Sequence, residues 1–274
     1  MMTLDEGGWR RPWVTVVAPP PALSEIVELF WIDEWSDAES SGRQFRVVAD
    51  DAPHILWYFG RAGAHRMQRL MLVGSRARHH DIDLSGRHLL VGARLRPGAL
   101  PLLTHRPAIQ FTNRSVSLLD VVGPSATRTI GRMETECPAV AVDRLATLIA
   151  SLPSCRSAVD PRAVWIGALD RDQRTSVADV EHTLGMPGRT LRAWSLTHFG
   201  MGLKRLLRIR RLHAALDLWL SGAQTNWTRV AASAGYADQP HFNREFREFS
   251  GLTPSQYLAR PGQGPGHAVL AESH

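Results

Sequence analysis

Two cysteines, Cys137 and Cys155, are all that the 274 residues contain. That leaves no disulfide framework, and neither cysteine stands in a Cys/His spacing that would hold zinc. A reducing interior is the expected setting, with both thiols as bystanders. No apolar run approaches the roughly 18 residues of a membrane span. The opening MMTLDEGGWRRPW also lacks the apolar core of a signal peptide, so a soluble, cytoplasmic protein is expected. Ser and His are plentiful, yet there is no Gly-x-Ser-x-Gly elbow and no phosphate-cradling glycine loop. Acidic residues are missing from one stretch in particular. Between Met186 and Leu212 stand Arg189, Arg192, Lys204, Arg205, Arg208, Arg210 and Arg211, without one Asp or Glu.

What is present points to a polyanionic partner: the formal charge is +6 and the pI near 10.3. The length suits two ordinary domains. The first part is built of short apolar runs broken by Gly, Pro and Asp, namely RPWVTVVA, FRVVADDAPHILWYFG, RLMLVGS and HHDIDLSGRHLLVGARLRPGAL, and these read as strands. One segment there, LSEIVELFWI, reads as a helix, because Leu23, Ile26, Val27 and Phe30 recur at helical spacing. GALPLLTH, SLLDVVG and AVAVDRLATLIASL follow as helices, the last with Val142, Leu145, Leu148 and Ile149 on one face. A polar stretch, PSCRSAVDPR, then sets the boundary near residue 160.

Beyond it helices are expected at about 161–169, 176–184, 188–199, 203–220, 225–234, 239–249 and 254–259. The predicted class is α+β: a β-rich, barrel-like sensing or dimerising domain over 1–159, an all-α seven-helix domain over 160–262, and a flexible tail over 263–274.

The helical part echoes itself. Val180 stands to Gly185 as Val230 stands to Gly235, and Leu191 precedes Gly200 by the interval that separates Phe242 from Gly251. Each copy reads as helix, tight turn at glycine, helix, which is the helix-turn-helix arrangement. Glycine there allows the positive φ that a helix C-terminus commonly needs. A basic helix of about 17 residues from Lys204 joins the copies and spans about 25 Å. That length is of the order needed to set two recognition helices in successive major grooves, about 34 Å apart.

RIRRLHAALDLWLSGAQTNWTRVAASAGYADQPHFNREFREFSGLTPSQYLAR resembles the DNA-binding domain of AraC/XylS-type transcription regulators, and the likeness extends back through TSVADVEHTLGMPGRTLRAW. It is carried by Arg211-Leu212-x-x-Ala215, by Ala-x-x-x-Gly-Tyr from Ala231 to Tyr236, by the residues around His241, Phe242 and Arg244, and by Gly251-x-Thr253-Pro254-x-x-Tyr257. The first copy departs from the family pattern. Ala193 and Ser195 stand where an Arg and a Phe are usual, and Gly202-Leu203 replaces a Ser-Pro. Trp194 is expected to fill the pocket of the missing Phe. The second copy is therefore expected to carry most of the discrimination.

Phe242, Phe246 and Phe249 form one buried stripe. On the opposite face Gln239 and Asn243 suit adenine edges, Arg244 suits O6 and N7 of guanine, and His241 faces base or phosphate. Arg189 and Arg192 are the base contacts expected of the first copy. Lys204, Arg208, Arg229 and Arg247 are assigned to phosphates, which position the protein without carrying sequence information. Arg211 is read as structural, bonded to an acidic partner.

The Gly92-Ala-Arg94-x-x-Pro97-Gly98 segment, with PHILWYFG, also resembles the β-rich sensor domain of some AraC-type regulators. A core lined by Trp57, Phe59 and Leu95 could enclose a small-molecule effector. Solidly packed, the same core would serve only to form a homodimer. His79, His80, Asp81 and Asp83 cluster, but neighbouring strand residues face opposite ways, so no metal and no cofactor are expected. Two readings follow: a DNA-binding regulator with double-stranded DNA as partner and no enzymatic activity, or a ligand-binding or enzymatic β-barrel protein whose helical part no longer binds DNA specifically.

Overall fold

The computed structural model describes residues 14–35, 44–62, 65–83, 88–123, 137–152, 158–169 and 175–258. Eight strands come first: β1 (Val14–Val17), β2 (Val27–Trp35), β3 (Gln44–Val47), β4 (His54–Ala62), β5 (His65–Val73), β6 (His80–Asp83), β7 (His88–Leu95) and β8 (Ser115–Ser117). Six form one antiparallel sheet in the order β1-β2-β7-β4-β5-β8, and β3 pairs with β6 in a separate ribbon. The expected β-rich first half is therefore present. Among the described residues, however, the sheet is open and no ring closes.

β7 lies between β2 and β4, and all eight of its positions are buried. At its middle a Cβ on Gly92 would fall 2.1 Å from the Trp31 ring, so only glycine lets this indole lie across the strand.

LSEIVELFWI is not a helix. Pro21–Leu23 make one 3-10 turn and Val27–Trp35 are strand β2. Held between β1 and β7, this strand buries residues that point to both faces, among them Leu29, Phe30 and Ile32. A dense apolar run of that kind contains helical spacings by accident. Its β-branched and aromatic residues, Val27, Phe30, Trp31 and Ile32, suit the pleat.

Helices α1 (Ala99–Thr104) and α2 (Leu118–Val122) follow, and α3 (Pro138–Ser151) buries Ala141, Val142, Leu145, Leu148 and Ile149 under the sheet. Then come α4 (Pro161–Ala168), α5 (Val177–Leu184), α6 (Gly188–Phe199), α7 (Leu203–Leu220), α8 (Trp227–Ser233), α9 (Gln239–Ser250) and α10 (Pro254–Leu258). These match the seven expected helices to within about two residues at each end. No helix among the described residues is long and apolar enough to cross a membrane. A single hydrophobic cluster runs from Leu23 in the sheet half to Tyr257 in α10, so the two halves share one core.

Candidate nucleic-acid interface

The unit α8-turn-α9 is fixed by local chemistry. Asn226 caps α8 by accepting the Thr228 N–H at 2.7 Å, and Asp238 caps α9 by accepting that of His241 at 2.6 Å. Between them Gly235 has φ 68°, the left-handed turn that the sequence calls for. Phe242, Phe246 and Phe249 are each 0 % exposed. Around them Trp219 stacks on Trp227 with ring centres 4.0 Å apart, and Trp227 stacks on Phe242 at 5.5 Å. This aromatic block fixes which face α9 turns outward.

On that face Arg244 and Arg247 are exposed, and Gln239, His241 and Asn243 are half-buried. Thr228 donates its hydroxyl to the Gln239 carbonyl at 2.8 Å, so this amide offers its NH2 outward first. His241 lies edge-on to Tyr236, 5.3 Å away, with Nε2 3.9 Å from Glu245. All five expected residues of the second unit are thus brought to one helix.

The first unit repeats the frame with different filling. Ser176 and Asp179 make a reciprocal capping box at the start of α5, and Gly185 and Gly200 have φ 60° and 76° where Gly235 and Gly251 have 68° and 72°. Arg189 and Arg192 are exposed on α6. Trp194 does not fill the pocket of the missing phenylalanine. Its indole N–H donates to Asp160 at 3.1 Å, its ring stacks on His198 at 4.4 Å, and Arg162 lies over it at 5.4 Å. The buried position belongs to Ser195, 0 % exposed, whose hydroxyl donates to the Met201 carbonyl at 2.7 Å. A small side chain that satisfies its own polar group fits there. The indole, which carries a donor, is drawn to the carboxylate at the start of α4.

Lys204 and Arg229 are exposed. Arg208 is held: its Nε donates to Glu245 at 2.7 Å and its Nη2 to Glu248 at 2.5 Å. Burial works against the Arg208 charge, but Glu248 and Glu245 outweigh it and raise its pKa. Glu245, only 2 % exposed, also accepts from the Tyr236 hydroxyl at 3.0 Å, and Arg211 Nε approaches it to 3.9 Å. Burial, followed by the Glu245 charge, pushes the Tyr236 hydroxyl well above its usual range. Sequence reasoning missed Glu245 and Glu248. Their spacing of three on α9, opposite Arg205 and Arg208 spaced by three on α7, was the available signal.

Residues 181–260 match the family described as "Helix-turn-helix domain". This segment is an AraC-type helix-turn-helix DNA-binding domain. Residues 15–117 match a family described as a domain of unknown function, DUF6597. No curated protein matches the chain. Among solved structures, an apo variant of ToxT from Vibrio cholerae strain SCE256 is 14 % identical, over 84 % of this chain and 96 % of that one, with a TM-score of 0.44. ToxT from Vibrio cholerae O395 bound to (E)-4-(8-methylnaphthalen-1-yl)but-3-enoic acid is 12 % identical over 84 % and 98 %, with a TM-score of 0.46.

The AraC-type domain is joined to the sheet by polar groups that span the chain. Arg210 Nε donates to Asp51 at 2.7 Å, His213 Nε2 donates to the Ala49 carbonyl at 2.7 Å, and the Ala49 N–H donates to the Phe249 carbonyl at 3.0 Å. Arg205 Nε reaches the Ala77 carbonyl at 3.0 Å, and the Thr112 hydroxyl reaches Gly200 O at 2.6 Å. Beneath them Arg94 donates to Asp50 at 2.7 Å and to Glu28 at 3.0 Å. Burial alone would push the Asp50 carboxyl up; Arg94, followed by His54, overcomes this and holds it well below the usual range. Asp51 follows the same rule with Arg210 as its main partner. The donor atoms of Asp50, Asp51 and His213 lie within 4.8 Å of one another, and both carboxylates are matched by guanidiniums.

Trp57, Phe59 and Leu95 lie in the hydrophobic core. They are 2 %, 6 % and 0 % exposed within the common core, and the two rings pack at 5.0 Å. Alternation on an inward face marks core and pocket alike, so the pattern could not separate them. A cavity of about 180 Å3 lies elsewhere, between the sheet and helices α4 and α7, with Arg94, Arg96, Val164, Leu169 and Arg210 in its wall. Of the His/Asp cluster, Arg46 clamps Asp81 through two bonds of 2.7 and 2.8 Å. Burial, reinforced by Arg76, lowers His80 to about 4. The Asp83 side chain lies outside the described residues.

Proposed function

We propose that this protein is a sequence-specific DNA-binding transcription regulator in which α9, and to a lesser degree α6, read successive major-groove segments. One observation carries the reading: α9 sets Gln239, His241, Asn243 and Arg244 opposite three fully buried phenylalanines, so its donors and acceptors are pre-positioned for base edges. The first unit supports a smaller share, because its exposed cations are confined to Arg189 and Arg192 on α6. Lys204, Arg229 and Arg247 supply phosphate contacts. No catalytic step belongs to this reading, and the setting is the cytoplasm.

The first half, up to about residue 160, serves to sense a small molecule, to form a homodimer, or both. The cavity of about 180 Å3 at the joint supports the sensing role, because a molecule there would touch both halves at once. The deciding experiment is selection of duplexes from a random pool by the full chain, followed by mobility shift at near-physiological salt. A recovered motif bound at least a thousandfold better than bulk DNA is expected. Binding without sequence preference refutes the regulator.

A further inference from the structure

A groove of about 590 Å3 opens beside the start of the linker helix, lined by Gly188 and Arg192 of α6, Glu181 of α5, and Lys204, Arg205 and Arg208 of α7. Four cations against one carboxylate make its wall basic. Both α6 and α7 begin there, and their N-terminal dipoles add to the positive potential. This is the chemistry of a nucleic-acid backbone seat, yet two of the cations are engaged.

The manner of engagement is specific. Each guanidinium is tethered by its Nε to an acceptor fixed in the fold: Arg205 to the Ala77 carbonyl at 3.0 Å, and Arg208 to buried Glu245 at 2.7 Å. The Nη ends of both turn to the same carboxylate. Arg205 Nη2 is 3.3 Å from Glu248, and Arg208 Nη1 and Nη2 are 3.4 and 2.5 Å from it. Glu248 is 41 % exposed, whereas Glu245 is 2 % exposed.

We propose that Glu248 is a built-in stand-in for a DNA phosphate. It occupies the Nη forks of Arg205 and Arg208 in the free protein and yields them to the duplex backbone on binding, which sets the affinity common to all sequences. The inference rests on the DNA-binding reading and deepens it. An exposed carboxylate holds a guanidinium only weakly, so exchange for a phosphate costs little. The Nε tethers remain in place and keep both forks aimed. Arginine matches a phosphate oxygen pair as well as it matches a carboxylate, so the geometry needs no rebuilding.

The test is Glu248→Gln in the full chain, assayed by mobility shift against the selected duplex and against bulk DNA over a salt series. Folding is checked first by circular dichroism and melting temperature. Affinity should rise roughly 2- to 5-fold for both duplexes alike, and the slope of log affinity on log salt should steepen by about 1. In an Arg205→Ala background the same substitution should gain clearly less. Three results overturn the stand-in while leaving DNA binding intact: unchanged affinity and slope, a gain confined to one base pair, or a gain undiminished by Arg205→Ala. A wild-type chain that prefers no duplex overturns the DNA reading itself, and this inference with it.

Discussion

Arg210 and Asp51 stand 159 positions apart in the chain and meet at 2.7 Å, with only 11 % and 8 % of their side chains exposed. A buried pair of this kind adds little over an apolar contact, but breaking one side of it is costly. Arg210→Ala leaves the Asp51 carboxylate buried with Arg94 at 3.8 Å as its remaining cation. A loss of about 3–5 kcal/mol is expected in denaturant unfolding. Pairing Arg210→Met with Asp51→Asn should recover part of it. A loss below about 1 kcal/mol would mean that the joint behaves as a surface contact.

Arg244→Ala should cost about 1–3 kcal/mol at a single base pair and relax preference there. Lys204→Ala should weaken every duplex alike and flatten the salt slope by about 1. Equal, sequence-independent losses for both would remove Arg244 from base readout.

Asp160 joins three groups at the start of α4: the Arg162 side chain, its backbone N–H, and the Trp194 indole. The hydrogen bond from Arg162, against burial, holds its carboxyl at about 2. Since the folded value lies below the unfolded one, the contribution is complete above about pH 4 and fades as pH falls toward about 2. Asp160→Ala should cost about 0.5–2 kcal/mol at neutral pH. The gap from wild type, measured by unfolding across pH, should close over that interval.

Burial lowers the pKa of both His80 and His213, the former to about 4. The unfolded chain takes up these protons first. Stability is therefore complete above about pH 6.5 and falls on acidification, by up to about 1.4 kcal/mol per pH unit for one proton. For His80 the window closes at about 4. Unfolding measured at pH 7 and pH 5 should show the loss, and His80→Gln should flatten it. An unchanged slope would mean that His80 is protonated or solvated in the folded state.

What could be read from the sequence was the local chemistry. All seven C-terminal helices were legible because their periodicity and their turns at Gly185 and Gly235 act within a few residues; the caps at Ser176, Asn226 and Asp238, equally local, were found only in the structure. β2 misled because a strand covered on both faces shows the same apolar density as a helix. Trp194 misled because its partner, Asp160, precedes it by 34 positions. Glu245 serves Arg208, Tyr236 and Arg211 together, and only the tertiary fold makes it a hub.

The Ala49 peptide has a further consequence. Its N–H holds the end of helix α9, and its carbonyl holds His213 on α7. Three of the four atoms in these two bonds, the Ala49 N–H and carbonyl and the Phe249 carbonyl, belong to the main chain, so among substitutions at Ala49 or Phe249 only proline at 49 removes one of them. Side-chain changes beside this peptide that keep the backbone path therefore leave one attachment of the helical domain to the sheet half intact.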